Sequence, residues 1–209
     1  ESVDTNTVII DGKSTAFTKP TSRAKKTVTA VGNAQIVTTG AKKFGTGAGL
    51  LDGTGDRFSI TTSSDFGFGT GDFDVEGWIY ISDDVGTETL FDFRAGSNTD
   101  NGLHVYFVDK VPKVYIGTTE ILAPAITLAN TTFYHVSVTR SSGTIKLFID
   151  GLQQATAANT TDLGTTKPLI IGSKFDGSTS DFAGRIDDIR IRKGTGVSSA
   201  PGSAPTAAA

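Results

Sequence analysis

The feature that most restricts the fold of this chain is the run Thr132-Phe133-Tyr134-His135-Val136-Ser137-Val138-Thr139-Arg140-Ser141-Ser142-Gly143-Thr144-Ile145-Lys146-Leu147-Phe148-Ile149-Asp150-Gly151. Apolar residues recur at Tyr134, Val136 and Val138, then at Ile145, Leu147 and Ile149. That two-residue period belongs to half-buried strands. Ser141-Ser142-Gly143 offers a loop with a glycine free to take a positive φ, and Asp150-Gly151 is the dipeptide that closes two-residue hairpins. Three successive antiparallel strands are predicted from this stretch alone.

The 209 residues suit one domain, and 37% hydrophobic content is ordinary for a globular chain. A domain of this size buries about 70% of the surface its unfolded chain exposes, so its core needs no staple. The absence of cysteine excludes disulfides, thiolate metal sites and cysteine catalysis. No apolar run approaches the ~20 residues of a membrane span, and no membrane partner is expected. Methionine is also absent, even at position 1, so a processed product or a piece of a longer protein is expected. Residues 1–50 hold seven Lys/Arg against three Asp/Glu, and the remainder hold twelve against nineteen. The basic cluster Lys19, Arg23, Lys25 and Lys26 is read as a solvated flank rather than a nucleic-acid surface, because no aromatics interleave with it.

Residues 1–25 are polar and lack the apolar centre of a signal peptide. They read as an extended arm with at most one short strand at Thr7–Ile10. Thr27–Val31 and Ala34–Thr38 are expected to pair as a hairpin around Gly32-Asn33. From Phe44 to Ile60, glycine-rich bends alternate with short apolar pieces, as at sheet corners. A phosphate loop fails there, since neither a Gly-Lys-Ser/Thr ending nor a following helical period is present. Calcium at Asp52 and Asp56 lacks the glutamate that closes an EF-hand loop.

In Asp72–Ile81, Phe73, Val75, Ile79 and Ile81 share one face, while Asp72, Asp74, Glu76, Trp78 and Tyr80 share the other. Further strands are predicted at Thr89–Arg94, Leu103–Val108, Lys113–Ile116 and Pro168–Ser173, with a turn at Asp109-Lys110-Val111-Pro112. In Arg185–Arg192 the apolar set moves from Ile186 to Ile189 and Ile191. A bulge near Asp187-Asp188 or a buried Asp–Arg pair must absorb that slip. No window carries a helical period and no fixed repeat is visible, so about a dozen short strands imply an all-β, two-sheet antiparallel sandwich.

Three pieces resemble the laminin G-like, concanavalin A-like jelly-roll family. They are Phe73-Asp74-Val75-Glu76-Gly77-Trp78-Ile79-Tyr80, the hairpin from Phe133 to Gly151, and Ile170-Ile171-Gly172 with Phe182–Ile191. The resemblance runs from Thr27 to Lys193 and implies a jelly-roll domain at 26–193, between the arm at 1–25 and residues 194–209, whose Gly/Ser/Pro/Ala composition reads as a flexible tail. Thr27–Ile36, Lys43-Phe44-Gly45 and Asp52-Gly53-Thr54-Gly55-Asp56 are similar to the version found in virion proteins of tailed bacteriophages, especially tail-fibre and capsid-appendage proteins. That narrower likeness implies a protein of the virion surface with glycans as the usual partner.

Members of the wider family that hydrolyse β-glucans carry acidic residues at i, i+2 and i+4 of one strand, which Asp72, Asp74 and Glu76 resemble. Retaining hydrolysis needs two carboxyl groups ~5–5.5 Å apart, which that spacing supplies, but Asp72 stands where those enzymes have Glu. Glu76 and Trp78 recur in non-catalytic members and are read as positions of the fold. Trp78 is expected under the second sheet, and Tyr80 is open to stacking on a sugar ring. His104 and His135, with no Cys, do not make a histidine metal site or a Ser-His-Asp arrangement.

Binding is expected on loops. Asp92, Arg94, Asn98, Asp100 and Asn101 lie in or beside one, and Asp176, Ser178 and Asp181 lie in another. The resemblance implies one Ca²⁺ at a loop rim, for which Asp176 and Asp181 are the candidate ligands. The expected function is a non-enzymatic module on a phage particle that binds glycans through Tyr80, Arg94, Asn98, Asp100 and Asn101. The alternatives are a structural virion protein that contacts other virion subunits and oligomerises through its arm, and a glucanase using Asp72, Asp74 and Glu76. The sequons Asn130-Thr131-Thr132 and Asn159-Thr160-Thr161 matter only in a eukaryotic secretory pathway.

Overall fold

In the computed structural model, which describes residues 8–10, 16–17, 26–82, 86–194 and 196, the alternating segments become seventeen short strands, and no helix forms among the described residues. In chain order these are β1 (Val8–Ile10), β2 (Ala16–Phe17), β3 (Lys26–Thr27), β4 (Thr29–Val31), β5 (Gln35–Val37), β6 (Ala48–Asp52), β7 (Arg57–Ser63), β8 (Phe73–Ile81) and β9 (Thr87–Asp92). The rest are β10 (Leu103–Val108), β11 (Val111–Ile116), β12 (Thr119–Leu122), β13 (Phe133–Ser141), β14 (Thr144–Ile149), β15 (Leu152–Ala158), β16 (Lys167–Ile171) and β17 (Ala183–Lys193). One sheet runs β15-β14-β13-β8-β17-β6-β5, with β1 also paired to β17. The second runs β12-β11-β10-β9-β16-β7-β4, and β2 pairs β3. All pairings are antiparallel, and the two large sheets stack as a jelly-roll sandwich.

The central hairpins follow the turn chemistry. Ser142 and Gly143 have φ of 49° and 74°, and Asp150 and Gly151 have 50° and 78°, so both two-residue loops carry the double positive φ that suits strand twist. Asp109 and Lys110 form a third turn of this kind. Here the structure corrects the sequence reading: β11 begins at Val111, and Pro112 lies inside the strand opposite Phe107. Its missing N–H faces away from β10, beyond the end of β12, which starts to pair at Val114, so no ladder bond is lost.

The core lies between the sheets. Phe73, Val75, Ile79 and Ile81 of β8 join Leu90, Phe91, Val105, Phe107, Val136, Val138, Ile189 and Ile191 in one buried cluster. Each such side chain contributes about 1.5–3 kcal/mol on burial. The slip in β17 is absorbed in both expected ways. Register passes from Asp187 opposite Trp78 to Arg190 opposite Glu76, which leaves one extra residue. Asp188 takes φ 49° there, and its buried carboxylate pairs with Arg190 at 2.6 Å. Leu90 and Phe91 both point inward for the same reason, because β9 bulges between Val105 and Tyr106 of its partner.

Gly32-Asn33 does not close a hairpin. β4 pairs β7 in the second sheet and β5 pairs β6 in the first, so the turn carries the chain between layers. Asp56 fixes this crossing: its buried carboxylate accepts Asn33 N at 2.8 Å and Asp52 N at 3.0 Å. These bonds explain Asp56 without an ion. Gly49 shows the expected close packing, since a Cβ there would lie 2.8 Å from Ile186 Cγ1. β9, at Thr87–Asp92, sits two residues earlier than expected, and β16, at Lys167–Ile171, starts one residue and ends two residues earlier than expected. Within the arm, β1 realises the expected strand against the chain's own β17. The arm also carries a second strand, where at most one was expected: β2 pairs with β3, Ala16 opposite Thr27 and Phe17 opposite Lys26. The rest of the arm, and the tail apart from Gly194 and Gly196, lie outside the described residues.

Candidate functional site

The outward face of β9, β10 and β11 is where aromatic and polar side chains gather. Alternation sends Leu103, Val105 and Phe107 into the core and turns His104 and Tyr106 outward, with Tyr115 beside them on β11. His104 and Tyr106 stack at 4.5 Å with an 11° interplanar angle, and Tyr106 meets Tyr115 edge-on at 5.3 Å. With Arg94, Asn98, Thr118 and Lys174 they line a depression of about 330 Å³.

Two loops wall this depression, and Asp92 ties them together. It accepts Arg94 N and Arg94 Nε, both at 2.9 Å, through Oδ1, and Arg94 Nη2 at 2.6 Å and Phe175 N at 2.9 Å through Oδ2. Arg94 also donates to Asn98 Oδ1 at 3.1 Å and lies 4.9 Å over the Phe175 ring. A planar guanidinium gripped at two points cannot swing, so the polar wall is set before any ligand arrives.

His104 is hydrogen-bonded between Nε2 and Thr89 Oγ1 at 3.1 Å. Burial, reinforced by the charges of Arg94 and Lys174, drives its pKa down to about 2, so the imidazole is neutral. Burial also pushes the Tyr106 phenol up, so both groups are uncharged at neutral pH. Tyr115 donates its hydroxyl to Glu120 at 3.1 Å.

Of the residues expected from sequence, Arg94 and Asn98 meet in this depression. Asp100 and Asn101 lie further along the same loop. Asp100 pairs with Lys167 and accepts Gly102 N at 2.8 Å. Burial opposes its ionisation, yet these bonds hold its carboxyl below the usual range. Asn101 abuts Gly117. Tyr80 is elsewhere: it sits on the outer face of the other sheet, 5.2 Å from Phe133. The sequence reading takes His104 only as a possible metal ligand and does not single out Tyr106 or Tyr115. The signal lay in two facing strands, where His-x-Tyr in β10 and Lys-x-Tyr in β11 alternate with core residues.

Asp176 accepts Ser178 N, Thr179 N and Thr179 Oγ1, which hold its carboxyl below the usual range against the effect of burial. Asp181 accepts Gly55 N at 2.7 Å. These bonds shape the loop, and among the described residues no group of three or more His, Asp or Glu side chains could hold a metal ion. The expected calcium ligands Asp176 and Asp181 therefore find no carboxylate cage there.

The acidic strand face differs in kind. Asp74 and Glu76 are both 1% exposed and share Arg192, whose Nη2 reaches Asp74 and, at 2.7 Å, Glu76 Oε1. Ser137 Oγ donates to Asp74 at 3.1 Å, and His135 Nε2 lies 3.2 Å from Glu76. Asp72 instead accepts Ser142 N from the neighbouring hairpin. Trp78 is buried, but not under the second sheet as expected: an even position on β8 faces outward. Phe44 covers it edge-on at 5.8 Å, and Lys43 Nζ stands 3.8 Å over the ring. Asp187 fastens that cover by accepting Lys43 N and Phe44 N at 2.9 Å.

A model of the concanavalin A-like lectin/glucanases superfamily matches residues 52–195. No curated protein matches the chain in sequence. Among solved structures, the botulinum neurotoxin serotype D ligand-binding domain in complex with N-acetylneuraminic acid is similar at 16% identity and a TM-score of 0.69, covering 93% of this chain and 48% of that one. The binding domain of Paraclostridial mosquitocidal protein 1 is similar at 16% identity and 0.68, with 90% and 48% covered. Domain 4 of an extracellular arabinanase from Geobacillus stearothermophilus, in complex with arabinotriose, is similar at 18% identity and 0.62, with 82% and 84% covered. The chain spans about half the length of the toxin domains it matches. Identities this low show the fold, while the family model covers more than half of the sequence; the chain belongs to the concanavalin A-like lectin/glucanases superfamily.

Proposed function

We propose that the chain is a non-enzymatic carbohydrate-binding module that takes its sugar in the depression on the outer face of the second sheet. The observation that carries this reading is the pairing of the His104–Tyr106 stack and Tyr115 with the pre-set Arg94–Asn98 wall. A sugar ring has one apolar face, which packs on an aromatic, and an equator of hydroxyls, which needs fixed donors and acceptors. The sugars named with the serotype D and arabinanase domains agree with this use of the fold. The burial of Asp74 and Glu76 against Arg192 supports the non-enzymatic reading, because neither carboxyl is open to a substrate. The likeness of Thr27–Asp56 to tailed-phage virion proteins carries the rest of the proposal: the module works at the surface of a phage particle.

A glycan array run with and without calcium tests this. Retention of a glycan in both conditions, lost in Tyr106→Ala and Tyr115→Ala variants that keep the parent's thermal midpoint, is the expected result. Retention only with calcium returns the site to Asp176 and Asp181. No retention in either condition removes sugar binding and favours the structural virion role.

A further inference from the structure

We infer that the sugar taken in this depression carries an anionic group, a carboxylate or a sulfate, seated against Lys174 and the free edge of Arg94. The inference rests on the binding reading above and adds the chemical class of the ligand. Among the described residues the lining contributes two cations, Arg94 and Lys174, and no carboxylate. The two cations are not equivalent. Arg94 is matched by Asp92 behind it, and its Nε and one N–H of Nη2 are spent there. Asn98 takes one N–H of Nη1, so among the described residues one N–H on each terminal nitrogen has no protein partner.

Lys174 is poorly matched. Its nearest carboxylate is Asp176 at 3.8 Å, at the limit of an ion pair, and that carboxylate already accepts two backbone N–H groups and the Thr179 hydroxyl. The lysine side chain is 23% exposed, so its charge is partly removed from water without a close counter-ion. Glu120, which accepts the hydroxyl of the lining Tyr115, is also engaged by Lys113 at 3.3 Å. The same positive bias falls on His104, whose protonation Arg94 and Lys174 both oppose.

A half-buried ammonium beside a fixed guanidinium edge meets an anionic oxygen with charge-assisted hydrogen bonds on both sides. Neutral sugars satisfy the aromatic platform equally well but leave Lys174 with only its 3.8 Å contact to Asp176 and the Phe175 ring 5.1 Å away. Such bonds are stronger than neutral ones by enough to separate acidic from neutral sugars by about tenfold or more.

The test is an array of matched galactosides in neutral, sialylated and sulfated forms together with oligogalacturonate. Calorimetry then follows on the tightest anionic glycan and its neutral parent, in wild type and Lys174→Gln. The expected outcome is tighter binding of at least one anionic form by about tenfold or more. That preference should collapse in Lys174→Gln and weaken between 50 and 500 mM salt. Neutral and anionic forms that bind within twofold of each other overturn the inference and leave sugar binding intact. An anionic preference that survives in Lys174→Gln also overturns it, because the charge is then read elsewhere. If no form binds, sugar binding itself fails and the inference falls with it.

Discussion

Arg94 and Asp92 form a two-point ion pair, 2.9 Å from Nε to Oδ1 and 2.6 Å from Nη2 to Oδ2, with their side chains only 3% and 0% exposed. The strand that supplies Asp92 and the two loops it clamps are therefore one mechanical unit, since Phe175 N also ends on that carboxylate. A buried pair of this kind adds less to stability than its geometry suggests, because both charges leave water, but breaking it is costly.

Asp92→Ala leaves a buried guanidinium without its counter-charge and two backbone N–H groups without an acceptor. The expected loss is about 3–5 kcal/mol in urea unfolding, together with loss of sugar binding. A loss below about 1 kcal/mol would show that the loops are held by something other than Asp92.

Asp74 gives the fold a pH dependence of unusual sign. Burial, and then the charge of Glu76, push its carboxyl up to about 6, with Arg192 acting in the opposite direction. A folded-state value above the ordinary carboxylate range means that the protonated form is the one the fold favours. Its contribution is full below about pH 4 and is lost as pH rises through about 6. Glu76 is held below its ordinary value despite burial, by His135 and Arg192, so its contribution is lost at lower pH, as pH falls through its folded value. Asp74→Asn should therefore gain stability relative to the parent between pH 4 and pH 7, read from urea midpoints at each pH. A difference that does not change across that range contradicts the assignment.

Trp78→Ala should cost about 3–5 kcal/mol and leave sugar affinity unchanged, because Trp78 lies on the other sheet beneath Phe44 and Lys43. Urea unfolding and calorimetry on the same preparation check both halves. Loss of affinity at unchanged stability would make Trp78 a ligand contact.

The sandwich was legible in the sequence because strand period and turn chemistry are local. Val136 and Ile149 face each other in the expected hairpin, Asp150-Gly151 makes its turn, and the slip between Ile186 and Ile189 marks the bulge at Asp188. What depends on which layer a strand joins was not legible. Gly32-Asn33 reads as a hairpin turn, and only the long-range bonds of Asp56 turn it into a crossing between sheets. The site was half legible for the same reason. Arg94 and Asn98 stand four residues apart in one loop, whereas their meeting with Tyr106, Tyr115 and Lys174 depends on the strand order β11-β10-β9 and on Asp92 joining two loops. Tyr80 carries the right chemistry on the wrong sheet, because pairing with β13 and β17 fixes β8 in the layer opposite the depression.

The most direct measurement is a backbone-amide NMR titration of the full chain with an oligosaccharide retained on the array. Placement of the sugar on the second sheet predicts saturable shifts concentrated at Arg94, Asn98, His104, Tyr106, Tyr115 and Thr118. Shifts concentrated instead at Tyr80, Phe133 and their neighbours on the first sheet would contradict it.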